Sequence, residues 1–457
     1  MQLDRVLEQI DAELPAAQQR LFELLRISSV STDPSFKQDV ANAAAWCSAE
    51  LSSLGFAAQV IQTEGHPMVV AHYEKPNTQT LLFYGHYDVQ PVDPLALWAS
   101  DPFEPTVIDT PHGPAIRARG ASDDKGQLMT FIEACRSILA VEGGLPCSVT
   151  VFLEGEEESG SPSMVPFLKS YGHLLQADLG LICDTGMMDR QTPSIVTMLR
   201  GMVQDEVIIR GPNKDLHSGM FGGPAINPIR VLSRALAALH DEQGHVTLEG
   251  FYDGVPVLPE SILEQWNGLD FDASEFLGAV GLSEPAGEQD RSVLEQLWAR
   301  PTCEVNGISG GYTGQGFKTV LPAEARAKVS FRLVGEQDPQ KVRAAFYAHI
   351  KRHLPADCEA EFIAYGGDHA SVMPTTSAQF AAIQQALTDE WEREAVFVGC
   401  GGSIPIAGLL QKMLGINTAL VGFAQDDDAI HSPNEKYDVA SFRKGIRSWA
   451  RILCGIV

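Results

Sequence analysis

The 457-residue chain is 44% hydrophobic and 20% charged, with 41 glycines and 27 prolines, a composition of folded domains rather than of a disordered chain. Lys and Arg total 33 against 59 for Asp and Glu, and the resulting charge of −26 repels nucleic-acid backbones and anionic membranes. No apolar run reaches the roughly 18 residues a membrane span needs, and the acidic N-terminus does not read as a signal peptide. The 8 cysteines are scattered without a CxxC pair, so a reducing, cytoplasmic location is expected.

The length exceeds one ordinary core, since domains run to about 50–250 residues, and two or three are expected. Residues 1–27 predict an amphipathic helix broken near Pro15, with Leu21, Leu24, Leu25 and Ile27 on one face. A polar break follows, then a second helix over 36–54 that Gly55 stops. Residues 57–73 predict strands around a Gly65-His66-Pro67 turn. Leu81-Leu82-Phe83-Tyr84 is continuously apolar, as suits a strand buried on both faces. A helix is predicted over 124–139, and further buried strands over 149–153 and 179–183.

His86 and Asp88 follow the first of these buried strands, an acidic run over 154–158 follows the second, and Asp184 the third. Polar candidates at the carboxyl ends of strands that alternate with helices predict an open α/β sheet. The next stretch differs. Strands at 194–199 and 203–210 read as neighbours joined across Arg200-Gly201, and a helix follows over 228–239. Short helical pieces occupy the acidic segment 241–302, before a strand over 325–333 and a helix over 339–349. A helix over 381–392 and a buried strand over 419–423 then lead to His431. The expectation is a catalytic domain with a mostly parallel open sheet flanked by helices, built from 1–191 and 382–457, and a smaller α+β domain inserted as 192–381.

In extended chain, residues i and i+2 point the same way, so His86 and Asp88 can face one centre. His86 can ligate a metal, while Asp88 ligates too or holds the other imidazole nitrogen. Asp123 and Asp124 sit in a glycine-bounded turn where Asp124 suits an ordinary helix cap. Asp123 can instead bridge two ions about 3.5–4 Å apart. Four acids in the five positions 154–158 repel one another unless cations neutralise them. One of them can ligate while a neighbour stays free as a base. Asp184 and His431, each unremarked alone, complete an inventory that suits two divalent ions sharing a ligand, and hence hydrolysis. Mixed carboxylate and imidazole donors suit zinc, and also manganese or cobalt.

These patches resemble the M20 metallopeptidases, especially their carnosinase-like dipeptidases. The motifs are Gly85-His86-Tyr87-Asp88-Val89-Gln90-Pro91, the segments 119–126 and 154–161, Lys214-Asp215-Leu216-His217-Ser218-Gly219, Gly401-Gly402-Ser403-Ile404-Pro405 and His431-Ser432-Pro433-Asn434-Glu435. The resemblance implies a cytosolic homodimer that cleaves dipeptides or other short peptides. It implies one ion on His86 and Asp184, another on Glu158 and His431, and Asp123 shared between them. Asp88 then orients the His86 ring and Glu157 is the general base. A cis peptide is implied at Asp123-Asp124. The inserted domain becomes a lid and dimerisation module. In it His217 supports the tetrahedral intermediate, often across the dimer, Arg332 grips the substrate carboxylate, and Gly402 and Ser403 contact the same end.

Where relatives often carry Arg-Glu before Gly-Gly-Ser-Ile-Pro, this chain has Gly399-Cys400, so its specificity pocket is expected to differ. An N-acyl amino acid amidohydrolase using the same site is the nearest alternative. A metal-binding interaction protein without turnover is the other, and the retained Glu157 argues against it.

Overall fold

The computed structural model describes residues 2–402 and 404–456, so Ser403 lies outside the described residues. Two compact units are present, one of Met1–Thr197, Met373–Val398 and Pro405–Val457, the other of Met198–Val372 and Gly399–Ile404.

In the first unit, strands run in the spatial order Ala57–Ile61, Met68–Tyr73, Ser148–Glu154, Thr80–His86, Leu179–Ile182, Thr418–Leu420 and Ser194–Leu199. The four strands from Ser148–Glu154 to Thr418–Leu420 are parallel, and antiparallel strands extend the sheet on both sides. Leu81, Leu82, Phe83 and Tyr84 are all buried, as a strand covered on both faces requires. The register pairs His86 with Glu154 and Tyr84 with Ile182, which brings His86, the acidic run and Asp184 to the same edge of the sheet.

Helix Lys125–Glu142 lies against the central strand, with Phe131 stacked on Phe83 at 3.8 Å between ring centroids. Trp449, from helix Val439–Gly455, meets both rings edge-on and donates its indole N–H to Thr130 Oγ1 at 3.0 Å. It is fully buried, so Trp449→Ala is expected to destabilise the protein by about 3–5 kcal/mol, read by denaturant unfolding. Unfolding curves that superimpose on the wild type would contradict this packing.

Three local expectations are corrected. Helix Leu3–Leu25 runs through Pro15 without a break. A mid-helix proline costs about 3 kcal/mol, and the buried stripe of Leu7, Ile10, Ala17 and Leu21 on either side of it outweighs that loss. Asp124 occupies the N-cap position of helix Lys125–Glu142, but its side chain makes no cap hydrogen bond. Its carboxylate turns inward and accepts from the His86 backbone N–H at 3.1 Å, with the Cys183 thiol at 3.2 Å. Strands Ser194–Leu199 and Gly201–Arg210 do not pair with each other, because the second belongs to a separate four-stranded sheet. Gly201 permits that departure: a Cβ there would stand 2.3 Å from the Asp368 carbonyl oxygen.

In the second unit, the sheet order is Thr302–Gly310, Glu324–Leu333, Gly201–Arg210, Glu359–Asp368, antiparallel throughout. Ala325, Ala327, Val329, Phe331 and Leu333 alternate into its core, as the period of a half-buried strand demands. Helices Pro228–Ala237 and Pro339–Arg352 close that core through Val231, Leu232, Val342 and Phe346.

Candidate active site

Every proposed ion ligand lies in the first unit. His86 ends its strand with no exposed surface. Its Nδ1 lies 3.1 Å from the Asp88 carbonyl oxygen and 3.4 Å from Asp88 Oδ1. That arrangement leaves Nε2 facing Asp123 Oδ1 at 3.0 Å and Asp184 Oδ2 at 3.8 Å. The other Asp123 oxygen, Oδ2, lies 3.0 Å from His431 Nε2, and Glu158 Oε2 lies 3.3 Å from the same nitrogen. Two groups of donors result, each with its atoms within 4.8 Å of one another: His86, Asp123 and Asp184, then Asp123, Glu158 and His431. Asp123 belongs to both.

The Asp123–Asp124 peptide is cis, as the resemblance implies. Asp88 is buried, and its two carboxylate oxygens accept from the backbone N–H groups of Glu157 at 3.3 Å and Glu158 at 3.0 Å. It therefore connects the segment carrying His86 to the acidic run. Within that run the roles separate. Glu154 accepts from the Tyr84 hydroxyl at 2.6 Å, and burial pushes its pKa up to about 8. Glu156 accepts from the backbone of His66 and Ser163. Glu156 is occupied by the fold, while Glu154 keeps one buried oxygen, Oε1, without a hydrogen-bond partner among the described residues; neither belongs to a donor group, which leaves Glu157 and Glu158.

A cation fits this donor set. Glu158 Oε1 is buried without a hydrogen-bond partner among the described residues, while Gln90 Nε2 donates to Oε2 at 2.7 Å. A buried carboxylate oxygen left unpaired is costly unless a proton or a cation completes it; the raised pKa of Glu154 favours a proton on its own orphaned Oε1, whereas Glu158 stands in a donor group with Asp123 and His431. Residue type alone gives Gln90 no role, but its place four residues after His86, in the same motif, is a usable signal.

The loop carrying His431 is strained, since Ala429, His431 and Asn434 all adopt positive φ, at 54°, 61° and 66°. Asn434 anchors it, accepting from the Ala99 N–H at 2.8 Å and donating to the Leu97 carbonyl at 2.9 Å.

The electrostatics follow from crowding acids around two imidazoles. Burial raises the pKa of Glu157 against the pull of His86, and the neighbouring Glu158, Asp88 and Asp123 charges add to the rise. Burial and the Asp123 charge likewise hold Asp184 well above the usual carboxylate range. Asp123 itself is held low, because hydrogen bonds from His431 and His86 together outweigh its burial. Asp123 and Glu158 raise His431 to about 10. In the apo protein that imidazole therefore keeps a proton at neutral pH, and a metal ligand must be deprotonated. Ion uptake is expected to release protons, seen as a buffer-dependent heat in titration calorimetry at pH 7. Heats that do not vary with the buffer would contradict it.

The remaining candidates belong to the second unit. His217 is exposed in the short strand Leu216–His217, paired with Val320–Leu321, and its Nδ1 accepts from the Gly219 N–H at 3.0 Å. Arg332 is half-buried on strand Glu324–Leu333, between Met202 and Thr302 of the adjacent strands, with no ion pair among the described residues. Gly402 is half-buried, and a Cβ there would approach only the Cys400 Sγ, at 3.6 Å.

A parallel sheet whose edge carries two donor groups joined through one carboxylate places the protein among the metal-dependent hydrolases. The chain belongs to peptidase family M20/M25/M40, whose model matches residues 82–454. It is 30% identical over 472 residues to the Cys-Gly metallodipeptidase of Saccharomyces cerevisiae, covering 99% of this chain and 97% of that protein. It is 27% identical over 467 residues to the Beta-Ala-His dipeptidase of Homo sapiens, covering 98% and 91%. Among solved structures, human carnosine dipeptidase 1 superimposes with a TM-score of 0.77 at 27% identity, covering 100% of this chain and 99% of that one. An M20 family metallo-carboxypeptidase from Sulfolobus solfataricus gives 0.81 at 31% identity, covering 96% and 99%.

Proposed function

We propose that the protein hydrolyses the peptide bond of dipeptides or other short peptides, using two divalent ions. His86 and Asp184 would hold one, Glu158 and His431 the other, and Asp123 would be shared by both. The observation that carries this reading is the Asp123 carboxylate, whose two oxygens each face a different histidine at 3.0 Å. The named activities of the metallodipeptidase relatives support the substrate class. Zinc is the ion proposed, with manganese or cobalt accepted by the same donors.

Ions bound in these positions would supply Lewis acidity to the scissile carbonyl and would acidify the attacking water. Glu157 takes the proton from that water and returns it to the departing amine. Asp88 keeps His86 Nε2 turned toward the site. His217 donates to the developing oxyanion. The Arg332 guanidinium matches a planar terminal carboxylate with two parallel hydrogen bonds, and Gly402 and Ser403 serve the same end of the substrate. The proposed catalytic part comprises 1–191 and 382–457. The inserted part, 192–381, brings His217 and Arg332 and acts as lid and dimerisation module in a cytoplasmic homodimer.

The test is a panel of dipeptides and N-acyl amino acids assayed at equal metal loading, before and after chelation. Dipeptide hydrolysis that a chelator abolishes and zinc, manganese or cobalt restores is the expected result. Turnover of acyl amino acids alone would replace the reading with an amidohydrolase. No turnover with two ions bound would indicate a binding protein.

A further inference from the structure

Glu435 closes the motif that begins at His431, and it is fully buried. It belongs to neither donor group among the described residues. Its carboxylate is surrounded by donors from the segment that carries Asp123. Oε1 accepts from the backbone N–H groups of Ser122 at 2.9 Å and Asp123 at 3.0 Å. Oε2 accepts from the Gly120 N–H at 2.9 Å and from Arg119 Nη1 at 2.7 Å. The Glu435 carbonyl also accepts from the Ala118 N–H at 3.1 Å. One residue thus gathers the turn 118–123, and Gly120 takes the positive φ of 82° that the turn requires.

Arg119 extends the connection. While Nη1 pairs with Glu435, Nη2 donates to the Pro91 carbonyl at 3.0 Å, in the segment that follows His86 and Asp88. A second tether runs parallel: the Ser122 hydroxyl donates to Asp428 Oδ2 at 2.8 Å, and Asp428 also accepts from Lys436 Nζ at 2.7 Å. The three segments bearing His86, Asp123 and His431 therefore meet at the Glu435–Arg119 pair, with no exposed surface needed to hold them.

We propose that Glu435 is a positioning residue that sets the Asp123 carboxylate between the two ion sites, with Arg119 as its counter-charge; the inference rests on the dinuclear reading. The Asp123 backbone N–H is fixed by Glu435 Oε1, so the direction in which the Asp123 side chain leaves the turn is fixed with it. Glutamine at 435 has nearly the same volume, but its NH2 group must face N–H donors that only an acceptor satisfies. The turn then rotates away, and the shared carboxylate no longer spans both ions.

The experiment compares Glu435→Gln, Glu435→Asp and the wild type by calorimetric ion titration and by the visible spectrum of the fully Co2+-loaded protein. Glu390→Gln is the control for lost stability, because Glu390 is a buried acid paired with Arg447 and Arg451 and belongs to no ligand segment. Glu435→Gln is expected to weaken the second ion by about 10–100-fold, as loss of a supporting partner does, and to change the Co2+ bands. Glu390→Gln is expected to lower Tm and leave both readouts unchanged. Wild-type ion affinity and spectrum in Glu435→Gln, with only a lower Tm, would overturn the proposal. If Glu435→Gln does not fold, Glu435→Asp decides on the same readouts, since it keeps the charge yet is one methylene too short to reach all four donors. A wild type that binds fewer than two ions would instead defeat the dinuclear reading.

Discussion

Glu157→Gln is expected to keep both ions while turnover falls on the order of 10²–10⁴-fold, the range associated with loss of a general base. Gln preserves the shape of the side chain and removes its ability to carry a proton. Glu157 belongs to neither donor group, so ion content, measured by elemental analysis, is expected to match the wild type. KM should change little, because no substrate contact is assigned to this carboxylate. Near-normal turnover in the ion-loaded variant would assign the base elsewhere. Loss of an ion would make Glu157 a ligand.

Asp123→Asn acts on the ions themselves. The amide offers one oxygen acceptor and an NH2 group, so it cannot present an anionic oxygen to each of His86 and His431 as Asp123 does. Ion content is expected to fall from two towards one. Shared charge stabilisation of this kind is worth several kcal/mol. Losing about 4 kcal/mol corresponds to a rate lower by on the order of 10³-fold. Two tightly bound ions in this variant would show that another group provides the bridge.

The parts of the fold that were legible in the sequence are those fixed by local pattern. Residues 81–84 are an unbroken apolar run and 149–153 an apolar run interrupted only by Thr150, and such runs become interior strands because both faces meet other layers. The positions of His86 and Asp184 at strand ends follow from the same pattern. What local pattern does not carry is decided by packing. Pro15 reads as a break, yet the helix continues because apolar residues on both sides of it are buried. Asp124 reads as a cap, yet its carboxylate is taken up by the His86 N–H and the Cys183 thiol, a partner 59 positions away.

The candidate site divides the same way. Asp123 and His431 are 308 positions apart, and no periodicity links them. Their association was visible only through the family resemblance of the motifs. Glu158 could not be separated from Glu154 and Glu156 by composition. The fold separates them, since Tyr84 takes the first and the backbone of His66 and Ser163 takes the other. Glu435 stands in the His431 motif, but its role was not legible there, because its donors are mostly backbone groups, which any sequence supplies.

Anomalous diffraction from crystals of the zinc-loaded protein tests the central claim most directly. Two peaks about 3.5–4 Å apart are expected, one beside His86 and Asp184, the other beside Glu158 and His431, each within bonding distance of a different Asp123 oxygen. A single peak, or a pair that Asp123 does not touch, would contradict the account.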